Sequence, residues 1–337
     1  MSVGLDIGSK TIKIVELEKE GSKWKLRASG VIGYKGKAPE YLKDDKEFSL
    51  LAVAIKKLHK EAKISSKNVV ISLPETQVFT RTIKFPLLND AEISSAIKWE
   101  AEQYIPIPIS EAIIQHQVLE RREDSSPPQA IVLLVATPKL LVEKYVKLVR
   151  MAGLSVSSIE TDLMALIRAL SPENQTVLIV DFGARSTSIA IAKDGQLTFS
   201  RSIATAGDAF TRAVAQVLGV EEKQAEQYKI AYGLSDKHLE GKIKAVLDPV
   251  FRLVADEIRK AIYFYQADEK GATPSSVIIA GGSAAMPEIV SAIIKFINLE
   301  VIVGNPFNKI IVDPEAQKTL ALYSHLYSVA VGLAMRG

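Results

Sequence analysis

Two hydrophobic periods run through the chain, and the two-residue period comes first. Residues 3–7 are an apolar run interrupted only by Asp6. After a short polar gap, Ile12, Ile14 and Leu17 alternate with Lys13 and Glu16. Glu20, Gly21 and Ser22 form a turn and residues 24–34 return, so the spacing predicts a three-strand meander over 1–34. The same succession recurs in mid-chain: a run ending near Phe182, a strand over 186–192, an Asp194-Gly195 hairpin turn, and a strand over 197–203. Repetition of a whole meander raises the likeness above coincidence.

Between the copies the period lengthens. Residues 47–63 place Phe48, Leu51, Ile55 and Leu58 on one helical face. Residues 90–104 do the same with Ile93, Ile97, Ala101 and Tyr104, and Asp90 is the expected N-cap. Pro106 and Pro108 forbid continuation, since proline has no N–H and blocks the preceding turn. Strands are expected at 69–73, 77–85, 112–119, 130–136 and 155–160, with a helix over 138–151. The block 84–157 reads as a small α+β subdomain inserted into a first lobe. Beyond the second meander, helices are expected at 208–218, 221–232, 248–267 and up to about 297, with strands at 276–280 and 301–303 and a last helix near 323–335.

Composition narrows the class. A length of 337 residues exceeds one ordinary core, and 47% hydrophobic with 24% charged residues is a globular balance. A net charge of +3 demands no nucleic-acid partner. Cysteine is absent, which excludes disulfides, thiol catalysis and thiolate metal sites. Asp6 and Lys10 break any leader-like stretch, and no run approaches the roughly 18 apolar residues of a membrane helix, so the expectation is a cytoplasmic chain without direct membrane insertion. His59, His116, His238 and His325 show no metal-ligand spacing, and neither common phosphate-loop pattern is present.

The chemistry sits in the repeat. Asp6 precedes Gly8, Ser9, Lys10 and Thr11; Asp181 precedes Gly183, Ala184, Arg185 and Ser186. A glycine just past a strand lets successive N–H groups point at an anion. An Asp at the strand's end is suited to hold Mg²⁺ through its water shell. One copy alone is equally an ordinary strand–turn with a solvated Asp. The pair gains weight from a third pattern, a buried strand over 277–280 running into Gly281, Gly282 and Ser283 and then a helix.

Together these motifs resemble the phosphate-1, phosphate-2 and adenosine motifs of the actin-like ATPase superfamily, which includes actin, the large heat-shock chaperones, sugar kinases, MreB and FtsA. The resemblance covers essentially the whole chain. It implies an α/β, two-lobed actin-like ATPase (ribonuclease H-like) fold with an inserted small α+β subdomain. Its implied parts are subdomain 1A (1–83, 158–174 and 322–337), 1C (84–157), 2A (175–205 and 268–321) and 2B (206–267). ATP and Mg²⁺ are the implied cofactors. Asp6 and Asp181 would serve the metal; the two turns, Gly207, Glu226, Lys229, Gly281, Gly282, Ser283 and Met286 would serve the nucleotide. Residues 225–229 resemble the Ala-Glu-x-x-Lys with which bacterial members contact ribose and base, although the same spacing is equally a surface i,i+3 ion pair.

The inserted block resembles that of FtsA and of the type IV pilus family PilM, and residues 3–10, 98–106 and 330–336 resemble the latter specifically. FtsA-like chains are longer and finish in an amphipathic membrane helix; this sequence stops at a core-type helix, so no such anchor is expected. The resemblance implies an ATP-binding scaffold peripheral to the inner membrane. Its partner would be a PilN-like bitopic membrane protein, whose N-terminal cytoplasmic peptide lies in a groove between the first subdomain and the insert. Other pilus platform proteins and self-association are further partners it allows, and type II secretion and competence machines use similar modules. Trp99 and residues 105–108 either line that groove or pack internally. For catalysis the family position falls on Glu160 or Asp162, yet Asp162 is equally a helix N-cap for 163–170, so slow hydrolysis at most is expected. A filament-forming FtsA or MreB relative and a sugar or metabolite kinase stay open as alternatives.

Overall fold

Alternation of apolar and polar residues makes β1 (Ser2–Ile7), β2 (Thr11–Glu20) and β3 (Lys23–Gly33) an antiparallel meander. The computed structural model describes residues 1–268, 271 and 273–337. Numbering elements in chain order, β4 (Asn68–Leu73) pairs parallel with β1 and β8 (Ser155–Thr161) parallel with β4. With β14 (Ile310–Ile311) the first sheet runs β14-β3-β2-β1-β4-β8. The second sheet contains β9 (Thr176–Phe182), β10 (Thr187–Lys193), β11 (Gln196–Ile203), β12 (Ser276–Ala280) and β13 (Glu300–Val303), in the order β11-β10-β9-β12-β13. The duplication therefore reaches five strands. Asp6 and Asp181 occupy the same place in each copy, one residue before the end of the first strand, opposite Lys13 and Ser188.

Two helices are shared between the sheets. α4 (Asp162–Leu170) and α10 (Ser328–Ala334) bury Leu163, Leu166, Val329 and Leu333 against Val70 of the first sheet and Ile179, Ala190 and Ile278 of the second. They cross so closely that a Cβ on Gly332 would overlap the Ala165 carbonyl, which leaves glycine as the only residue that fits. α1 (Asp45–Glu61) and α3 (Lys139–Met151) cover the outer face of the first sheet through Phe48, Leu51, Ile55, Tyr145 and Leu148. α5 (Gly207–Leu218), α6 (Glu222–Tyr232), α7 (Lys242–Asp268) and α8 (Ile289–Ile297) cover the outer face of the second, and α9 (Pro314–Ala321) leads back to the first lobe.

The insert is a three-stranded antiparallel sheet, β5 (Phe79–Pro86), β7 (Gln129–Pro138) and β6 (Ala112–Arg122), carrying α2 (Asp90–Tyr104) on one face. Ile93, Ile97 and Ala101 of α2 meet Val132 and Leu134 of β7 in a core of their own.

Sheet pairing moves the expected boundaries. The insert spans 79–138, because α3 packs on α1 and β8 pairs with β4, both in the first lobe. Ile310 and Ile311, expected in the second lobe, pair with Trp24 and Lys25 of β3. Residues 269, 270 and 272, part of the expected 268–321 segment, lie outside the described residues. Asn89, and not Asp90, caps α2: it accepts from Glu92 N (3.0 Å) while its own N–H donates to the Glu92 carboxylate (2.8 Å). α7 begins at Lys242 and continues through Pro249, since burial of Ile243 and Leu247 outweighs the one lost hydrogen bond.

Candidate functional site

The β1–β2 and β9–β10 turns face each other across a cleft that encloses a cavity of about 570 Å³. Neither Gly8 nor Gly183 has a left-handed backbone; what they supply is room. Gly183 N donates to Ser186 O (3.1 Å) to close its turn, and a Cβ there would lie 2.7 Å from that oxygen. The start of α5 is stitched to the same turn by Gly207 N to Gly183 O (3.1 Å) and Asp208 N to Ala184 O (2.8 Å). Lys10 reaches across to pair with Asp208, and the Arg185 guanidinium lies 5.9 Å from the Tyr41 ring, so each turn holds the opposite lobe.

The third turn is built differently. Gly281 has φ +84°, and a Cβ there would overlap Asp181 Oδ1 and lie 2.5 Å from Phe182 O. Its N–H donates to His325 O (3.1 Å), tying the turn to the segment before α10. Lys229 is buried and its Nζ meets Gly207 O (3.2 Å), Thr211 Oγ1 (3.1 Å) and Glu226 Oε2 (2.8 Å). The Ala-Glu-x-x-Lys segment is therefore an internal brace and no surface pair. Burial pushes the Glu226 carboxyl up, but hydrogen bonds from Lys229 and Thr211 outweigh it and hold the group below the usual range.

The carboxylates of Asp6, Asp162 and Asp181 lie close enough on the cavity wall to shift one another. Lys13 Nζ sits 3.0 Å from Asp6 Oδ2. Burial pushes Asp181 up to about 6, Lys13 pulling it down and the Asp6 charge pushing it further. Asp162 is raised by burial and then by Asp6, a hydrogen bond with Ser72 opposing. Among the described residues no cluster of three acids or histidines could grip a metal directly. Carboxylates that feel one another across a cavity instead suit a dication keeping most of its water. A raised acid keeps its proton in the folded state where the unfolded chain has released it. The stability owed to Asp181 is therefore present at low pH and is lost as pH rises from about 4 to about 6. Cation binding needs the carboxylate and follows the opposite slope: Mg-nucleotide affinity is expected to fall several-fold from pH 7.5 to pH 5.5 by calorimetry.

All the residues expected to hold nucleotide line the cavity, as do Asp6, Asp181 and Asp162. Glu160 does not. Its side chain is buried and bracketed by Arg168 (2.6 and 2.7 Å) and Arg336 (2.6 Å), which makes it a latch between β8, α4 and the chain's end. The N-cap of α4 is Thr161, accepting from Met164 N (3.3 Å), so Asp162 is free of the expected capping role. Sequence reasoning missed Lys13, Asp208, Ser72 and Tyr34, whose hydroxyl donates to Gly8 O (2.9 Å). Lys13 carried a signal: it stands between two fully buried isoleucines on a strand whose partner places it opposite Asp6.

A family model described as type IV pilus assembly protein PilM matches residues 4–337. Cell division protein FtsA of Enterococcus hirae is 22% identical over 337 residues, covering 86% of this chain and 75% of its own length. FtsA of Pseudomonas aeruginosa is 25% identical over 74% of this chain and 66% of its own. Among solved structures, a chain of a PilM–PilN type IV pilus biogenesis complex superposes with a TM-score of 0.85 at 26% identity, covering 99% of this chain and 98% of that one. MreB5 of Spiroplasma citri bound to AMPPNP superposes with a TM-score of 0.55 at 14% identity over 98% and 93% of the two chains, a likeness of fold alone.

Proposed function

The chain belongs to the family of type IV pilus assembly protein PilM, and on that premise we propose that it is an ATP-binding scaffold of the pilus assembly platform, docking the N-terminal cytoplasmic peptide of a PilN-like membrane protein. The observation that carries the ATP reading is the duplicated turn: two glycine turns, each with an Asp one residue before its strand's end, close on one cavity whose third wall is Gly281 to Ser283. Backbone N–H groups of both turns would cradle phosphates, with Lys10 and Arg185 adding charge. Asp6 and Asp181 would hold Mg²⁺ through its waters, and the ion, when bound, offsets the charge of the phosphates. Glu226 suits a ribose as acceptor, and Lys229, its three N–H groups committed to Gly207, Thr211 and Glu226, would serve by holding that carboxylate in place. The partner reading is supported by the likeness to a chain solved in complex with PilN. Among the described residues no helix is long and apolar enough to cross a membrane, so a bitopic partner would supply the membrane link.

Among the described residues Asp162 lines the cavity with no ion pair and no cap to serve, and it takes the role of ordering an attacking water. Burial keeps it protonated to higher pH than an ordinary acid, which makes it a poor base and hydrolysis slow. Asp162→Asn is expected to bind Mg-ATP like the parent in calorimetry and to lower turnover by about 10²-fold. Absence of Mg-ATP binding by the parent chain would sink the whole reading.

A further inference from the structure

The chain passes from β4 into the insert through one tight turn, Glu75–Gln77, preceded by Pro74. Pro74 and Thr76 line the cavity. Glu75 points the other way and is buried, 6% exposed. Around its carboxyl lie the hydroxyls of Ser200 on β11, Thr80 on β5 and Thr161, the N-cap of α4. The first lobe, the second lobe, the insert and the helix that carries Asp162 thus meet at a single side chain. The insert also rests on the second lobe nearby, where Thr82 Oγ1 donates to Thr198 O (2.9 Å).

This joint is underbonded. Among the described residues Glu75 Oε2, Thr80 Oγ1 and Thr137 Oγ1 are buried without a hydrogen-bond partner. Thr80 stands opposite Val135, two residues before Thr137, so both hydroxyls share one face of the insert's sheet, on its entering and leaving strands. Buried polar oxygens without partners are rare because each loses its water and gains nothing. The Thr80 hydroxyl is near enough to favour the charged carboxyl, yet it and Glu75 Oε2 are both left without a hydrogen bond. Burial raises Glu75 above the usual carboxylate range, the neighbouring hydroxyls opposing it.

We propose that Glu75 is a positioning residue that couples the nucleotide cavity to the seating of the insert, through Thr76 on one side and Thr161 and Asp162 on the other. The proposal rests on the ATP reading above. Coupling requires an element with two arrangements that both sites bias, and the underbonded root of the insert is the element assigned that part. A ligand gripped beside Thr76 and Asp162 favours one seating of the Thr80 end, and a peptide held by the insert favours one seating from its own side.

The test is hydrogen exchange over residues 76–86 and 129–138 of the full chain, with and without Mg-ATP, binding being measured separately by calorimetry. In the parent, saturating Mg-ATP is expected to change exchange at these strands about tenfold, within the usual coupling range. Glu75→Gln, which keeps the shape and a polar end, should preserve the response. Glu75→Ala and the isosteric Thr80→Val should both bind Mg-ATP and lose the response; Thr80→Val keeps the question answerable if the alanine variant fails to fold. A full response in Thr80→Val, or none in a parent that binds Mg-ATP, would overturn the coupling and leave the ATP site standing. Failure of the parent to bind Mg-ATP would overturn both.

Discussion

Gly281→Ala is expected to weaken Mg-ATP binding about 100-fold or more in a protein that still folds. At φ +84° a methyl group brings the left-handed penalty of about 1–2 kcal/mol before any contact is considered. That methyl would also overlap Asp181 Oδ1 and press on Phe182 O. The backbone cannot relax away, because Ala280 is held in register beside Asp181 and the Gly281 N–H is committed to His325 O. What gives way is Asp181 or the turn itself, and both belong to the proposed nucleotide site. Stability should drop by about 2–4 kcal/mol. Mg-ATP affinity should drop about 100-fold or more, the equivalent of about 2.7 kcal/mol. Gly282→Ala is the matched control: its Cβ would meet only Leu326 Cδ2 at 3.8 Å, and its φ is ordinary, so melting temperature should scarcely move. Unimpaired binding by the Gly281 variant would remove the third turn from the site.

Glu160→Ala is the complementary case, expected to harm the fold and spare the ligand. The carboxylate receives two hydrogen bonds from Arg168 and one from Arg336, all charge-assisted, and Arg168 also donates to Gly332 O (2.8 Å). The arginines are 30% and 40% exposed and regain some water when the acid is removed, so the loss falls short of that for a fully buried pair. About 2–4 kcal/mol is expected by denaturant titration, with Mg-ATP affinity within twofold of the parent. Asp162→Asn should show the reverse, unchanged melting with lowered turnover. Equal effects from the two substitutions would erase the distinction between latch and cavity wall.

The repeated turns were legible because their signal is local. An apolar strand, an Asp, a glycine and a second alternating strand lie within about a dozen residues, and the register of β1 with β2 follows from the pleat. The family likeness read from those motifs agrees with the match over residues 4–337. Contacts closed between distant segments were not legible. Ile310 and Ile311 form a two-residue strand whose only reason is the free edge of β3. Glu160 looked like a candidate base because the sequence does not reveal that Arg336 folds back onto it. Asp162 read as the helix cap because the helix starts one residue earlier than expected, and the exact start is the least predictable feature of any element. Lys13 read as the solvent side of an alternating strand until the strand's neighbour proved to carry Asp6.

The helix shared between the sheets has a bearing on synthesis. β1 comes from residues 2–7 and its cover, α10, from 328–334, whereas the second sheet is drawn from the unbroken stretch 176–303. A ribosome making this chain releases the first lobe's central strand, at residues 2–7, long before its closing helix, at residues 328–334. At about 5–20 residues per second, the earliest strand waits tens of seconds for its partner. The second lobe can therefore be complete while the first is still open, so the order of folding runs against the order of translation. Over that interval the exposed face of β1, including Val3 and Leu5, is the surface a chaperone would have to shield.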